Sequence, residues 1–413
     1  MKVTFNQNSN NIFGARIITV PQMKNSIEVN LEKVKLRGYT AFIGGDLYTP
    51  QNEIMRHDLL FYDSKLIAID DFDEKSIKQK IKYVLINRKT ITPAILDEHI
   101  HGGFGISFQN SSEQEIRKLL KKLAQFGIGG FIATTLPDKT ENISKQIKIL
   151  NNIIKNPRPN ETRILGIHLE GPFLNPQKSG IHPTEILLKP SVENYLKLEP
   201  ENVKIVTLAP ELDDNYELCR YLRKQGINVS AGHTVATAQQ TVDSGINQVT
   251  HIFNAMKSIH QREESVTLEA LINDNITAEM VGEFSHLSPK IMNLIMRQKP
   301  KDKLILISDA LSNAGIKKDF IMNGVLIHVD DCGNAYDDNG VIAGNMQFLQ
   351  NSAKKLVEKT IMTFKDFIRF ASVNPAKNNG VYEKFVLEEG KTPLFSIWDN
   401  EKLLTDRTFT NIF

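Results

Sequence analysis

Three observations in the 413 residues predict an α/β fold, a (β/α)8 TIM barrel with a small β-sandwich built from the N- and C-terminal segments. Eight apolar strand-like runs alternate with amphipathic helical stretches through the middle of the chain. Short β-type segments punctuated by turns flank that region on both sides. Histidines, carboxylates and glycines recur just after the strand-like runs, where a barrel of this kind carries its reactive side chains. The division that follows is 1–92 for an N-terminal extension and the first part of the sandwich, 93–377 for the barrel, and 378–413 for the rest of the sandwich.

In order, residues 1 to about 40 are polar, Asn-rich and weakly patterned, readable as an extra strand pair or a loose arm. Strand texture begins with Thr40–Tyr48, Asp58–Tyr62, Lys65–Ile69 and Lys82–Ile86, and ends at Pro93. The barrel strands are Ala94–Leu96, Gly130–Thr135, Arg163–His168, Val203–Leu208, Ile227–Ala231, Gln248–His251, Ile276–Val281 and Lys303–Ser308. Helical stretches fall between most of them, at Glu113–Phe126, Ser144–Ile154, Tyr216–Gln225 and Pro289–Met296. Asn351–Lys359 and Thr363–Ala371 read as closing helices, and β texture returns at Lys384–Leu387 and Pro393–Trp398.

Composition excludes several functions. Apolar content of 41% and charged content of 24% are those of an ordinary globular protein. The formal charge of +2, from 50 basic and 48 acidic residues without a long run of one sign, asks for neither nucleic acid nor an anionic membrane. Cys219 and Cys332 lie far apart and outside every cluster below, so neither a disulfide framework nor a thiolate metal site is expected. The first twenty residues lack an uninterrupted apolar core, and no window has the apolar length of a membrane span. An enzyme of the reducing cytoplasm is the expectation.

The stretch Ile95–Gly103 carries the sharpest signal: an apolar run leading to His99 and His101, then paired glycines. Residues two apart in a strand share a face, so both imidazoles can reach one cation. The pattern repeats at later strand ends, in His168-Leu169-Glu170-Gly171-Pro172, Ala231-Gly232-His233-Thr234, Thr250-His251-Ile252-Phe253-Asn254-Ala255-Met256 and Ile307-Ser308-Asp309-Ala310. Independent core histidines would not choose strand ends so consistently, and the set points to a shared metal centre.

The segments HIHGG, HLEGPFLNPQKSGIH, AGHT, THIFNAM, ISDA and ASVNPA together resemble the motif series of the N-acetylglucosamine-6-phosphate deacetylases, a family of metal-dependent amidohydrolases. The resemblance runs from about Ala41 to the C-terminus. It implies a barrel plus sandwich, a homodimer, and one or two divalent cations, Zn2+ or Fe2+, at the barrel mouth. By the same resemblance Glu170, His233 and His251 are the principal metal ligands, and His99 and His101 are available to a second ion. Asp309 matches the general base and His182 the histidine that contacts the substrate carbonyl. Asn254, Ala255, Arg262 and His286 match sugar-phosphate contacts, some of which serve the neighbouring subunit in family dimers. Lys178, His260 and His168 stand outside this set.

The chain departs from the family pattern at Ala94, at Gly282-Glu283-Phe284-Ser285-His286, at Asn345 and at Pro393-Leu394. None of these removes a ligand or the base; the changes near His286 and Asn345 bear on how a sugar phosphate is held. The expected activity is hydrolysis of the acetamide of N-acetylglucosamine 6-phosphate to acetate and glucosamine 6-phosphate. Two alternatives stay open: an amidohydrolase acting on a different N-acetyl amino sugar or a cyclic amide, and a catalytically silent sugar-phosphate-binding protein.

Overall fold

The computed structural model describes residues 31, 34–70, 77, 79–322, 324–330 and 333–410. Residues 1–30 of the polar N-terminal stretch, and Cys332, lie outside the described residues. The chain enters through β1 (Tyr39–Tyr48), β2 (Ile54–Tyr62), β3 (Lys65–Ile69), β4 (Lys82–Leu85) and β5 (Lys89–Pro93), and turns directly into β6 (Ile95–Ile100). A two-strand hairpin, β7 (Gly102–Gly103) with β8 (Ile106–Ser107), and helix α1 (Glu113–Leu123) come next. Strands and helices then alternate as β9 (Ile128–Thr135), α2 (Thr140–Lys155), β10 (Arg163–Glu170), α3 (Val192–Lys197), β11 (Val203–Leu208), α4 (Glu217–Lys224) and β12 (Asn228–Ala231). The series continues with α5 (Ala238–Asp243), β13 (Gln248–Val249), α6 (Val266–Ile272), β14 (Thr277–Val281), α7 (Pro289–Gln298) and β15 (Leu304–Ile307).

Strands β6 and β9 to β15 pair in sequence order into one eight-stranded parallel sheet. It closes at its C-terminal rim: Ile100 bridges Ala310, the Asp309 amide donates to the His99 carbonyl (2.9 Å), and the His101 amide donates to the Ala310 carbonyl (2.8 Å). The expected TIM barrel is therefore present. Its strands are covered on both faces, which is why all eight residues of β9 and all four of β15 are buried and read as apolar runs without alternation. Outside it, α1 starts at a capping box between Ser112 and Glu115 and turns Ile116, Leu119, Leu120 and Leu123 inward.

Between β15 and the closing helices the chain inserts an antiparallel sheet that the sequence reading left unassigned. Its strands are β16 (Phe320–Met322), β17 (Val325–Val329), β18 (Asn334–Tyr336) and β19 (Ile342–Asn345). They are three to five residues long and mostly half-exposed, so too little alternation survives to reveal them. Helices α8 (Leu349–Glu358), α9 (Phe364–Ile368) and α10 (Asn374–Asn378) follow, the last two joined by a π-turn at Arg369–Val373. This segment covers the N-terminal end of the barrel. Ser372 donates to the Ala94 carbonyl (2.6 Å), and Asn374 donates to the carbonyls of Lys301 (2.7 Å) and Leu304 (2.6 Å).

The flanking segments meet in one seven-stranded sheet with β20 (Phe395–Asp399) and β21 (Leu404–Phe409), in the order β21-β20-β5-β1-β2-β3, with β4 also paired to β1. A bulge between Phe42 and Gly45 bends β1, so that its first half pairs with β4 and its second with β5. Gly44 takes φ +83 at the bend, a conformation that glycine supplies at little cost. The sheet thereby folds over a core in which Phe61 stacks on Phe395 (5.1 Å between centroids) and Phe395 on Phe409 (4.5 Å). The expected strand at Lys384–Leu387 is a correction: Tyr382–Lys384 is a 3-10 turn and the following residues are irregular. Phe385 and Leu387 are apolar because they fill the cores beside β6 and beneath the folded sheet, not because they form a ladder.

Trp398, the only tryptophan, ties this sheet to the barrel. Its Nε1 donates to Thr92 Oγ1 (2.9 Å), and its ring lies 5.3 Å and 6.0 Å from those of Phe364 and Phe367. Replacing Thr92 by Val keeps the shape and leaves a buried indole N–H without its acceptor, at a cost of about 1–3 kcal/mol. Urea unfolding followed by Trp398 fluorescence is expected to show the midpoint of Thr92→Val lowered accordingly.

Candidate metal centre and active-site cavity

Each principal candidate side chain sits at or just past the C-terminal end of its strand. Glu170 is the last residue of β10, while His233, His251 and Asp309 each lie two residues past the ends of β12, β13 and β15. Those last three have positive φ of 49°, 32° and 52°. Left-handed backbone at a non-glycine residue costs about 1–3 kcal/mol and persists only where the surroundings impose it. Here it turns the chain at the strand end and aims each side chain across the barrel mouth. At the end of β6, the register against β9 shifts between Asp97 and Ile100. After His101 the chain folds back so tightly that a Cβ on Gly102 would lie 2.0 Å from the Ile106 carbonyl oxygen, which explains the glycine.

The Glu170 carboxylate is the hub. Its Oε1 lies 3.1 Å from His251 Nε2 and 3.4 Å from His233 Nε2; its Oε2 lies 3.3 Å from His101 Nε2 and 3.5 Å from His99 Nε2. Asp309 Oδ1 joins the second pair, 3.2 Å from His101 and 3.5 Å from His99. Within each pair the Nε2 atoms approach one another, to 3.3 Å for His99 and His101 and 3.2 Å for His233 and His251. All of these groups are buried. The tautomers of two rings follow from their other nitrogen. His99 Nδ1 faces Glu279 Oε2 (3.0 Å) and His233 Nδ1 faces the Lys178 carbonyl (2.8 Å). The Lys178 carbonyl can only accept, as can an ionised carboxylate, so with these partners Nδ1 carries the proton and Nε2 of the neutral ring presents its lone pair inward. Lone pairs and carboxylate oxygens packed this closely need a positive centre between them, and the donor set fits a divalent cation on either side of Glu170.

The electrostatics agree. Burial pushes the carboxyls of Glu170 and Asp309 up, but the surrounding imidazoles outweigh it and hold both below the ordinary range, so both are ionised at neutral pH. Burial pushes the imidazoles of His99 and His101 down, but Glu170 and Asp309 reverse this and hold both above the usual value. Protons therefore compete with a cation for these nitrogens, and cation binding weakens as pH falls. His182 and His168 behave differently. Burial takes His182 down to about 3, and His168 well below its usual value, so both are neutral rings. His168 donates to or accepts from Thr207 Oγ1 (2.7 Å) inside the barrel, and its ring lies 4.7 Å from that of His99.

Glu170, His101, His233, His251 and Asp309 reach the wall of a cavity of about 580 Å³, which His182, Asn254, Ala255 and His286 also line. Asn254 donates to the His251 carbonyl (3.2 Å), bracing that ligand candidate. Glu283 accepts from the His286 amide (2.9 Å) and from its Nδ1, leaving Nε2 of His286 3.6 Å from Asp309 Oδ2. Arg262 is placed elsewhere: it is exposed on the loop bridged by His260 and Glu263 and does not line the cavity of its own chain. Asn345 also stays out of the wall. Its Nδ2 donates to the Ser308 carbonyl (2.9 Å) and its Oδ1 accepts from the Gln347 amide (2.9 Å), so it pins the strand end that carries Asp309.

Sequence reasoning missed the groups that hold the rings. Glu279, midway along β14, takes His99 Nδ1, the His251 amide (3.2 Å) and the Gln248 amide group (2.8 Å). Its only signal was a carboxylate inside an otherwise apolar strand. Glu211 accepts from Asn175 Nδ2 and the Val235 amide, both at 2.8 Å, and steadies the turns beside His233.

Glu279→Gln can still occupy the space, but its amide can offer His99 a donor in place of an acceptor and the imposed tautomer is lost. Divalent-cation affinity, read by calorimetric titration of the apoprotein, is expected to fall about 10- to 100-fold. His182 makes a second prediction. Because its folded value of about 3 lies below that of an unfolded histidine, the unfolded chain binds the extra proton, and stability contributed by the neutral ring is lost as pH falls from about 6.5. At pH 5 the loss amounts to about 2 kcal/mol, so the melting point of His182→Gln is expected to drop less than that of the wild type between pH 7 and 5.

The sequence pattern of the amidohydrolase family matches residues 90–412. The N-acetylglucosamine-6-phosphate deacetylase of Bacillus subtilis (strain 168) is 32% identical over 305 residues, covering 71% of this chain and 76% of the relative. The N-acetylgalactosamine-6-phosphate deacetylase of Escherichia coli O157:H7 is 27% identical over 342 residues, covering 81% and 88%. Among solved structures, the N-acetylglucosamine-6-phosphate deacetylase of Thermotoga maritima superposes with a TM-score of 0.78 at 25% identity, over 88% of this chain and 96% of that one. By sequence pattern, relatives and fold alike, the chain belongs to the amidohydrolase family.

Proposed function

We propose that the chain hydrolyses the acetamide of N-acetylglucosamine 6-phosphate, releasing acetate and glucosamine 6-phosphate. The observation that carries this reading is the gathering of Glu170, His101, His233, His251 and Asp309 in the wall of a cavity that also holds His182, Asn254 and Ala255, with His99 packed behind them, all on segments matching the deacetylase motifs. The Bacillus subtilis relative bears the name of that activity. Glu170, His233 and His251 are the proposed principal ligands, with His99 and His101 able to hold a second ion; Zn2+ and Fe2+ both suit imidazole and carboxylate donors.

When bound, a divalent cation supplies Lewis acidity and lowers the pKa of water from 15.7 to about 7. Asp309, ionised and facing the imidazole pair, accepts the proton of the attacking water. His182 is neutral and its Nδ1 has no partner among the described residues, so the ring is available to donate to the acetyl oxygen as negative charge develops there. Protonated Asp309 then returns the proton to the leaving amine, one carboxyl serving as base and acid in turn. Asn254, Ala255 and His286 line the same cavity and are the proposed sugar-phosphate contacts.

A homodimer is part of the proposal, because Arg262 is exposed and outside its own cavity, where the guanidinium is free to enter a neighbour's site. The proposed compartment is the cytoplasm, in keeping with Cys219 as a buried free thiol. The Escherichia coli relative named for the galactosamine epimer keeps a second sugar in view.

Acetate release by metal-replete wild type and Asp309→Asn from N-acetylglucosamine 6-phosphate, its galactosamine epimer and the unphosphorylated sugar is the deciding assay. Turnover of the glucosamine phosphate, reduced about a hundred- to ten-thousandfold in Asp309→Asn with metal content retained, is expected. Preference for the epimer would transfer the reading to that sugar, and tight binding without acetate would make the protein a silent sugar-phosphate binder.

A further inference from the structure

Lys178 stands in the cavity wall without a counter-ion among the described residues. Among the described residues lining the cavity it is the single permanently charged cation; the others with basic character are imidazoles. The lining carboxylates, Glu170 and Asp309, are already engaged by His99, His101, His233 and His251. The Lys178 ammonium has no ion pair or hydrogen bond among the described residues, although the residue is partly buried.

Its backbone, by contrast, is held firmly. The carbonyl takes the His233 Nδ1 proton (2.8 Å), and the Lys178 amide donates to the Asn175 carbonyl (2.9 Å). Asn175 in turn donates from its own amide to the His233 carbonyl (2.9 Å) and from its side chain to Glu211 (2.8 Å). The turn Pro176–Lys178, capped by the Asn175 side chain, therefore fixes where the lysine stem starts. A flexible four-carbon stem carrying a point charge, anchored on the wall of a cavity where no other free cation stands among the described residues, is suited to an anionic group on the bound molecule.

We propose that Lys178 is a specificity-determining residue whose ammonium binds the phosphoryl group of the sugar phosphate from within the same chain. The identity of the anion rests on the deacetylase reading above; the unpaired cation does not. Arg262, exposed and absent from this wall, cannot fill that role within one subunit.

The test compares metal-replete wild type, Lys178→Met and Lys178→Arg. Methionine keeps the apolar stem and leaves the backbone carbonyl that orients His233 in place, so kcat and metal content are expected to hold. KM for N-acetylglucosamine 6-phosphate is expected to rise about tenfold in Lys178→Met, equivalent to about 1.4 kcal/mol, with KM for the unphosphorylated sugar unchanged and most of the loss restored in Lys178→Arg. An unchanged KM for the phosphorylated sugar, or an equal rise for both sugars, would overturn the proposal. Calorimetric titration with inorganic phosphate separates this outcome from failure of the deacetylase reading. Weaker phosphate binding in Lys178→Met supports the assignment even if no sugar is turned over, and equal binding in the two proteins removes it.

Discussion

One buried carboxylate sets the terms for this structure. Glu170 lies at the centre of the barrel mouth, almost wholly buried, and an isolated charge there would be strongly disfavoured. Four imidazoles drawn from three different strand ends surround it at 3.1 to 3.5 Å. Neutral rings do not compensate a carboxylate, and the arrangement is stable only with positive charge among the nitrogens, as protons or as a cation. That requirement links folding to occupancy. It also explains why the surrounding backbone tolerates left-handed residues at His233, His251 and Asp309, each of which gives up local stability to point a side chain at the same volume.

The barrel supplies the means. Its parallel strands end together on one rim, and the chain closes its last strand on its first through the Asp309 amide and the His99 carbonyl. Closure and chemistry thus share residues: the bond that seals the barrel also fixes the distance between the proposed base and the β6 histidines. Asn345 reaches the same rim from the inserted sheet and holds the Ser308 carbonyl beside Asp309. The opposite end of the barrel is occupied by the π-turn and α10, whose Asn374 answers carbonyls at the start of β15, so the reactive rim alone is left open.

Beneath the rim lies a polar layer that a purely apolar core would lack. Glu279 orders His99 and the His251 backbone, Gln248 joins Glu279 to Glu98 (3.0 Å), and Asn379 reaches Glu98 from below (2.6 Å). Burial, together with the nearby Glu279, holds the Glu98 carboxyl well above its usual value, while the Asn379 amide donating to it pulls the other way. Ring orientation at the mouth therefore depends on groups several residues deep in the barrel.

Much of this was legible in the linear chain. Strands covered on both faces are apolar runs wherever they occur, and ligand candidates that end such runs announce themselves by type and spacing, as His99 and His101, Glu170, His233, His251 and Asp309 do. Short, half-exposed strands such as Phe320–Met322 carry no such pattern, and Phe385 to Leu387 imitate one because an irregular segment buried between two cores needs the same residues as a strand. Sequence by itself determined the barrel, which is encoded in local periodicity, and the recurrence of histidines and carboxylates at its strand ends; the roles proposed for them come from the family resemblance. Only tertiary structure decided that Glu170 is shared by two imidazole pairs, that Glu279 and the Lys178 carbonyl choose the tautomers, that Arg262 stands apart and that Lys178 lines the cavity. Those relations join residues tens to hundreds of positions apart, and the distances that make them physical exist only once the sheet has closed.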